Sequence, residues 1–364
     1  MRSKALVIGA GLTGATAAWH LQEAGWDVSV VEKTGVAGGN IRGEKMSGIH
    51  YEPHGAHIFH TSNLVAAGVI QKHATLLPYK HVVMTQVNGR TISWPPQVSE
   101  LKTFAEWPQI EKELDNLPTT PDKTNFETYA ISIMGPTLYE WFVFGYTMKQ
   151  WGRHPSELSA SFAPKRIDLR TDGYRGLFRD PVQGWPKDGW ITIVDSMLKR
   201  VPVQFNDRLT ADFVDPAAWN AVIVTAPLDE FLGLDELEWR GVRLEHEWFP
   251  DVEETMLPAG VVNQPHEDYA HTRKIETKHM SGQIGERGTV ISTEYPGANA
   301  RHYPVDDTEG NNRRLANTYK DNLRDEMGPH VIPAGRLANY VYIDTDQAIM
   351  QGIHAADQAM RGTK

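Results

Sequence analysis

Histidines at 50, 54, 57 and 60, in IHYEPHGAHIFHT, lie close enough in the chain to hold a metal or to face a bound cofactor. Spacing alone does not choose between these. A metal would need a further carboxylate or histidine converging on the same point. No other segment supplies one by pattern, so no metal is expected. A second chemical cluster precedes them. In KALVIGAGLTGATAAWHLQEAGWDVSVVEK, Gly9, Gly11 and Gly14 form GxGxxG, and Glu32 stands at the end of the next apolar run.

The flanking elements give that glycine turn its meaning. Residues 5–8 predict a buried parallel strand, 12–24 a helix stopped by Gly25, and 28–31 a second strand. Gly9 permits the tight turn, and Gly11 lets backbone approach a pyrophosphate at the positive helix end. Gly14 lets helix and strand pack closely. A carboxylate at Glu32 accepts hydrogen bonds from ribose hydroxyls and repels a 2′-phosphate. The pattern predicts dinucleotide binding. A further pair, Gly38 and Gly39, followed by Asn40, suits a chain wrapping along an extended ligand, which favours FAD over NAD by analogy with large FAD-binding folds.

The chain has 364 residues, too many for one simple core, and a net charge of −10, which argues against a general nucleic-acid binder. It has no cysteine, which removes disulfides, thiolate nucleophiles and thiolate-bound metals and suits a cytoplasmic location. No apolar run approaches the length of a membrane span, and no signal-peptide cleavage pattern is visible, so a soluble protein is expected. Asn88-Gly89 predicts a hairpin turn. Residues 98–117 and 125–151 have helical spacing, with Gly135-Pro136 breaking or kinking the second run. Residues 154–190 are expected to be mostly loop. Residues 220–231 predict a strand returning to the first sheet, and 240–305 an antiparallel sheet.

Several segments, in order, resemble the UDP-galactopyranose mutase family. They are GAHIFHT (55–61), NFETYAISIMGPTLYEWFVFGYTMKQWG (125–152), KRIDLR (165–170) with QGWPKDGW (183–190), NQPHEDYAHTRKIETKH (263–279), EYPGANARHYP (294–304) and GRLANYVYIDTDQAI (335–349). With the element pattern, this implies an α/β fold. A discontinuous Rossmann-like FAD-binding domain (1–75, 184–240, 328–364) would carry an inserted helical domain (97–157). An antiparallel sheet domain (76–96, 158–183, 241–327) would complete it.

The resemblance also implies site roles. His57 would lie beside the flavin ring and Ile58 would touch the cofactor through its backbone. Phe142, Tyr146, Thr147 and Trp151 would form the uridine and sugar pocket. Arg170, on a mobile loop, and Arg273 would grip the substrate diphosphate. Asn263, Tyr303 and Tyr342 would contact substrate, while Arg336, Asp344 and Asp346 would close on the flavin. Guanidinium forks suit phosphate oxygens, and aromatic faces suit a base.

The family resemblance implies net non-redox interconversion of UDP-galactopyranose and UDP-galactofuranose, through attack of reduced-flavin N5 on the anomeric carbon. It also implies a homodimer. No Ser-His-Asp or paired-carboxylate set is evident, and flavin chemistry requires none. Ala56, in place of proline, and Ala226, in place of glycine, are small departures from the family, and three further positions depart more. His81 stands where asparagine is expected, and Leu177 and Val182 lie near expected tyrosines, with Tyr174 a candidate replacement. The open alternatives are a mutase for another nucleotide sugar, an FAD-dependent oxidoreductase and a non-catalytic binder.

Overall fold

The computed structural model describes residues 2–161 and 167–362. Lys165 and Arg166 of the KRIDLR motif lie outside the described residues. The first unit is the expected one: β1 (Lys4–Ile8), α1 (Leu12–Glu23) and β2 (Asp27–Val31). Along β1 the side chains alternate between two cores. Ala5 and Val7 pack with Ala15, Ala18 and Leu21 of α1, whereas Leu6 and Ile8 pack with Val222, Tyr319 and Leu323 on the opposite face. Burial on both faces is why the run is continuously apolar.

The parallel sheet is ordered 203–204, β2, β1, 221–224, 331–333. The return at 221–224 therefore lands beside β1, as expected. The helix Asn311–Met327 packs its Ala316, Tyr319, Leu323 and Met327 on this sheet. The helix 311–327, expected within the sheet domain, thus covers one face of the parallel sheet.

The second sheet has six strands in the order 239–249, 289–304, 273–275, 261–263, 83–87, 90–94. It is antiparallel throughout except where 261–263 runs parallel to 83–87. The Asn88-Gly89 hairpin joins its last two strands, with both turn residues at positive φ.

The helical unit differs from expectation in one respect. Residues 98–117 are not one helix but two, Val98–Leu101 and Trp107–Asp115, the second with proline at its start. Asn125 caps the helix Phe126–Tyr139, its side chain accepting from Thr128 N–H at 2.9 Å. Gly135, at φ 79°, interrupts that helix, as its Gly-Pro pair predicts. Glu113 then accepts from the freed Thr137 N–H at 2.9 Å and from its hydroxyl at 2.7 Å. A π-helical turn, Glu140–Phe144, follows and leads into the helix Gly145–Trp151. Such turns bulge a helix and re-aim its side chains. Here the re-aimed segment carries Phe142, Tyr146, Thr147 and Trp151. Among its described residues the expected loop region is mostly irregular but contains the strand Val182–Pro186, held between 59–61 and 76–78.

Candidate active site

A cavity of about 640 Å³ opens along the carboxyl ends of the parallel strands. Its lining runs from Glu32, Lys33 and Arg208, past Gly9, Gly11, Gly14, Gly39 and Asn40, to His57, Arg336 and Asp344. Open α/β sheets bind ligands at this place. The glycines are there for steric reasons. A Cβ on Gly14 would stand 2.0 Å from the Gly9 carbonyl oxygen, and one on Gly9 would stand 2.2 Å from Thr225 Oγ1. A Cβ on Gly11 would meet nothing within 4 Å, and no side chain caps the N-terminus of α1. Exposed N–H groups and open space together are what a pyrophosphate needs.

Glu32 is buried. Its carboxylate accepts from Ala10 N–H at 2.8 Å and from Thr34 N–H at 2.9 Å, tying the strand end to the glycine turn. Four buried polar atoms on the lining residues make no hydrogen bond: Arg42 Nε and Thr345 Oγ1, with His57 Nδ1 and Arg301 Nη1 beside the carboxylates of Glu52 and Glu230. Buried polar groups are normally satisfied. An extended polar ligand against this wall fits the donors present.

Two residues expected to contact the cofactor, Ile58 through its backbone and Asp346, are not among the residues lining the cavity. Ile58 is buried in the hydrophobic core and is not among the lining residues. Asp346 accepts from the Thr61 hydroxyl at 2.8 Å at the start of the helix Thr345–Gly362, also off the lining. The spacing near Asp344 indicates a helix start without showing which carboxylate faces inward.

The histidines separate into different roles. His50 and His60 are not on the cavity wall, whereas His54, His57 and His302 are. Val242 N–H donates to His302 Nδ1 at 3.2 Å, so His302 carries its proton on Nε2, 3.3 Å from His54 Nδ1. Burial pushes the His302 pKa down to about 3 and lowers that of His54. Both are therefore neutral at pH 7, linked in a one-way hydrogen-bond chain.

Two of the residues expected to contact substrate, Asn263 and Arg273, meet on the six-stranded sheet. Thr85, Asn263, Arg273 and Glu294 are register partners across four adjacent strands, so they share one face. Arg273 Nη2 donates to Glu294 at 2.6 Å. Burial alone would lower the Arg273 pKa, but Glu294, with Tyr146 and Tyr303, holds it well above the ordinary arginine value. Tyr303 stacks on Tyr342 with ring centroids 5.7 Å apart, and Trp151 meets Tyr303 edge-on at 6.2 Å. The Arg336 guanidinium lies 4.9 Å from the Tyr342 ring and 5.8 Å from that of Tyr303, joining this cluster to the cavity. Burial, then Glu294, raises the Tyr303 pKa, so its hydroxyl remains a donor. Phe142 and Thr147 are buried in the adjoining helical unit, Phe142 against Trp94 at 5.7 Å.

Arg170 is not a free cation on an exposed loop. It is 5% exposed. Its Nε donates to Asp168 at 2.9 Å, Nη1 to the Tyr174 carbonyl at 3.1 Å and also to that of Gly176, and Nη2 to the Leu177 carbonyl at 3.0 Å. The loop it clamps is fixed to its surroundings. Leu177 N–H donates to the His81 carbonyl at 2.7 Å, and the Phe178 ring stacks on His60 at 3.5 Å. Tyr174 is spent inside the loop, its hydroxyl donating to the Phe178 carbonyl at 2.7 Å. His81 is buried and its pKa is pushed down to about 3 by that burial. Val182 pairs with Thr61 in the small three-stranded sheet.

Sequence reasoning missed Glu294, Glu52 and Arg301. Glu294 sits directly across from Arg273, a pairing visible only once register is known. Arg301, on the cavity wall, is neutralised by Asp229 at 3.0 Å and by Glu230 and Glu236, which follow the strand 221–224.

The comparisons agree with this geometry. The model of the UDP-galactopyranose mutase family matches residues 141–342, more than half of the chain, and an NAD(P)-binding Rossmann-like domain model matches 7–70. The chain is 27% identical to dTDP-fucopyranose mutase of Escherichia coli over 382 residues, covering 100% of both. It is 27% identical to a probable UDP-galactopyranose mutase of Klebsiella pneumoniae, covering 97% of this chain and 94% of that one. A crystal structure of reduced UDP-galactopyranose mutase superposes with a TM-score of 0.79 at 18% identity, covering 99% of this chain and 96% of that one, a likeness of fold. On the family match, supported by the glycine-lined cavity and the paired Arg273, the chain belongs to the UDP-galactopyranose mutase family.

Proposed function

We propose that the chain binds FAD and, with the flavin reduced, interconverts the pyranose and furanose forms of a nucleotide-linked sugar, UDP-galactose being the first candidate. The observation that carries this reading is Arg273, paired with Glu294 and interacting with Tyr303, whose ring stacks on Tyr342 and so joins it to Arg336 of the cofactor cavity. When bound, a reduced flavin supplies an electron-rich ring nitrogen as nucleophile.

The remaining work belongs to the protein. Gly11 and the open end of α1 hold the cofactor pyrophosphate, Glu32 its ribose, and Arg336, Asp344 and His57 the ring end. Arg273 holds the substrate diphosphate with hydroxyls from Tyr303 and Tyr342, so that a departing nucleotide stays within reach. Asn263, on the same sheet face, and Phe142, Tyr146, Thr147 and Trp151 hold the sugar and base. Arg170 contributes through the loop it fastens.

A second reading is a mutase for another nucleotide sugar. It is favoured by the full-length similarity to a protein named dTDP-fucopyranose mutase and by His81 and Leu177 at the departing positions. The test is to incubate dithionite-reduced, FAD-loaded protein with UDP-galactofuranose and separately with dTDP-fucopyranose, and to separate products chromatographically. Ring isomerisation of either supports the reading and chooses the substrate. Stoichiometric consumption of oxygen or NAD(P)H would replace it with an oxidoreductase. A cysteine-free chain suits a reducing compartment, so we place the protein in the cytoplasm, as a homodimer like the family its residues resemble.

A further inference from the structure

Glu52 is 2% exposed, and nothing in its sequence context marks it. One carboxylate oxygen, Oε2, accepts the backbone N–H of His57 at 2.9 Å. The other, Oε1, stands 3.5 Å from His57 Nδ1, and both of those atoms are buried without a hydrogen-bond partner. The His57 carbonyl is pinned separately, accepting from Trp190 Nε1 at 2.8 Å. The histidine thus has its backbone fixed at two points and one ring nitrogen facing only a carboxylate.

We propose that Glu52 is a positioning residue for His57, holding its proton on Nδ1 so that Nε2 presents a lone pair on the cavity wall. This rests on the reading above that His57 faces the flavin. A carboxylate accepts and does not donate, so the nitrogen beside it carries the proton. The neighbouring pair has the opposite arrangement. The chain from Val242 N–H through His302 to His54 Nδ1 leaves the proton of His54 on Nε2. The wall therefore has histidines of both polarities. An acceptor at this point favours a bound ring that offers an N–H, as a reduced flavin does and an oxidised one does less.

The decisive substitution is Glu52→Gln. An amide has one oxygen and one nitrogen. If its oxygen keeps the His57 backbone N–H, its NH₂ faces Nδ1 and forces that nitrogen to become the acceptor. The tautomer inverts with almost no change in shape. The inversion that follows replacing a triad aspartate by asparagine is the same chemistry.

The experiment is ¹⁵N-histidine NMR on the flavin-loaded protein, wild type, Glu52→Gln and Glu52→Asp, with reduced-enzyme kinetics on whichever nucleotide sugar proves active. Wild-type His57 should show a protonated Nδ1 and a bare Nε2, and Glu52→Gln should reverse them. kcat should fall on the order of 10–100-fold in Glu52→Gln with KM unchanged. Glu52→Asp should keep the wild-type tautomer and recover part of the rate. A wild-type His57 protonated at Nε2 overturns the proposal, and that measurement needs no variant to fold. An unchanged tautomer and kcat in folded, yellow Glu52→Gln overturns it as well. Should no nucleotide sugar be isomerised, the functional reading fails, while the tautomer measurement still decides the role of Glu52.

Discussion

The proposed cofactor cavity and the proposed substrate side of this site are built from different materials. The cavity centre is backbone and small residues drawn from two short stretches, 9–14 and 38–40, at the end of one strand–helix–strand unit. The substrate side is long side chains from four separated segments: Tyr146 and Trp151 from the helical unit, Arg273 and Tyr303 from two strands, and Tyr342 from the segment before the last helix. Recognition by backbone needs free space, so it depends on what is absent, namely Cβ atoms. Recognition by side chains needs partners to hold them, and here the principal partner is the buried Glu294. Damage to the first should remove the cofactor, and damage to the second should leave the cofactor bound and stop the chemistry.

The largest effect should come from Gly14→Val. Its Cβ would meet backbone, the Gly9 carbonyl oxygen, which cannot swing away. The purified protein should be colourless and fail to take up FAD on reconstitution, as read by flavin absorbance. Next is Arg273→Ala. Flavin should remain while kcat/KM falls on the order of 10²–10³-fold, the range for losing a preorganised donor. Chemical denaturation should also show a loss of about 3–5 kcal/mol, because Glu294 is left buried and unpaired. A normal kcat/KM in this variant would remove Arg273 from the site.

Arg170→Ala sharpens the contrast between gripping substrate and holding a loop. Its guanidinium is committed to the carbonyls of Tyr174, Gly176 and Leu177, so affinity for UDP should change less than in Arg273→Ala. Protease cleavage within 171–179 should become faster. Equal loss of UDP affinity in the two variants, measured calorimetrically, would return Arg170 to the diphosphate.

The smallest effect is on stability in acid. Burial lowers the pKa of His81 and His302 to about 3 in the folded chain, against an ordinary value of 6.5. Between those values the unfolded chain binds more protons, so stability is full above about pH 6.5 and is lost as pH falls toward 3. Each histidine adds a slope of about 1.4 kcal/mol per pH unit. Glu276, whose carboxyl is held below its ordinary value of 4.5, adds to the loss only below that pH. His81→Asn should flatten the decline in thermal midpoint between pH 6.5 and 4.5, and an unchanged slope would contradict the buried neutral assignment.

What the sequence shows and hides follows the same division. Gly9, Gly11, Gly14 and Glu32 are legible because the turn, the helix end and the strand end are local, and their spacing is the geometry. The Asn88-Gly89 hairpin and the Gly135 interruption are legible for the same reason. The Arg273–Glu294 pair is not, because it depends on strand register set by the whole sheet. Arg170 reveals its type but not its partners, and the partners decide whether it grips a ligand or its own loop. The helix 311–327 shows an apolar stripe, which marks a buried face without saying which sheet it covers. Glu52 carries no signal, since a lone glutamate beside proline is ordinarily a solvated surface charge.

The central claim is that a reduced flavin in the cavity and a diphosphate on Arg273 act together on one sugar. Its most direct test is product analysis of FAD-loaded protein after dithionite reduction, with UDP-galactofuranose and dTDP-fucopyranose as substrates. The account predicts catalytic ring isomerisation of at least one, absent in the Arg273→Ala protein although it remains yellow. Isomerisation of neither substrate by a reduced protein that binds UDP would contradict it.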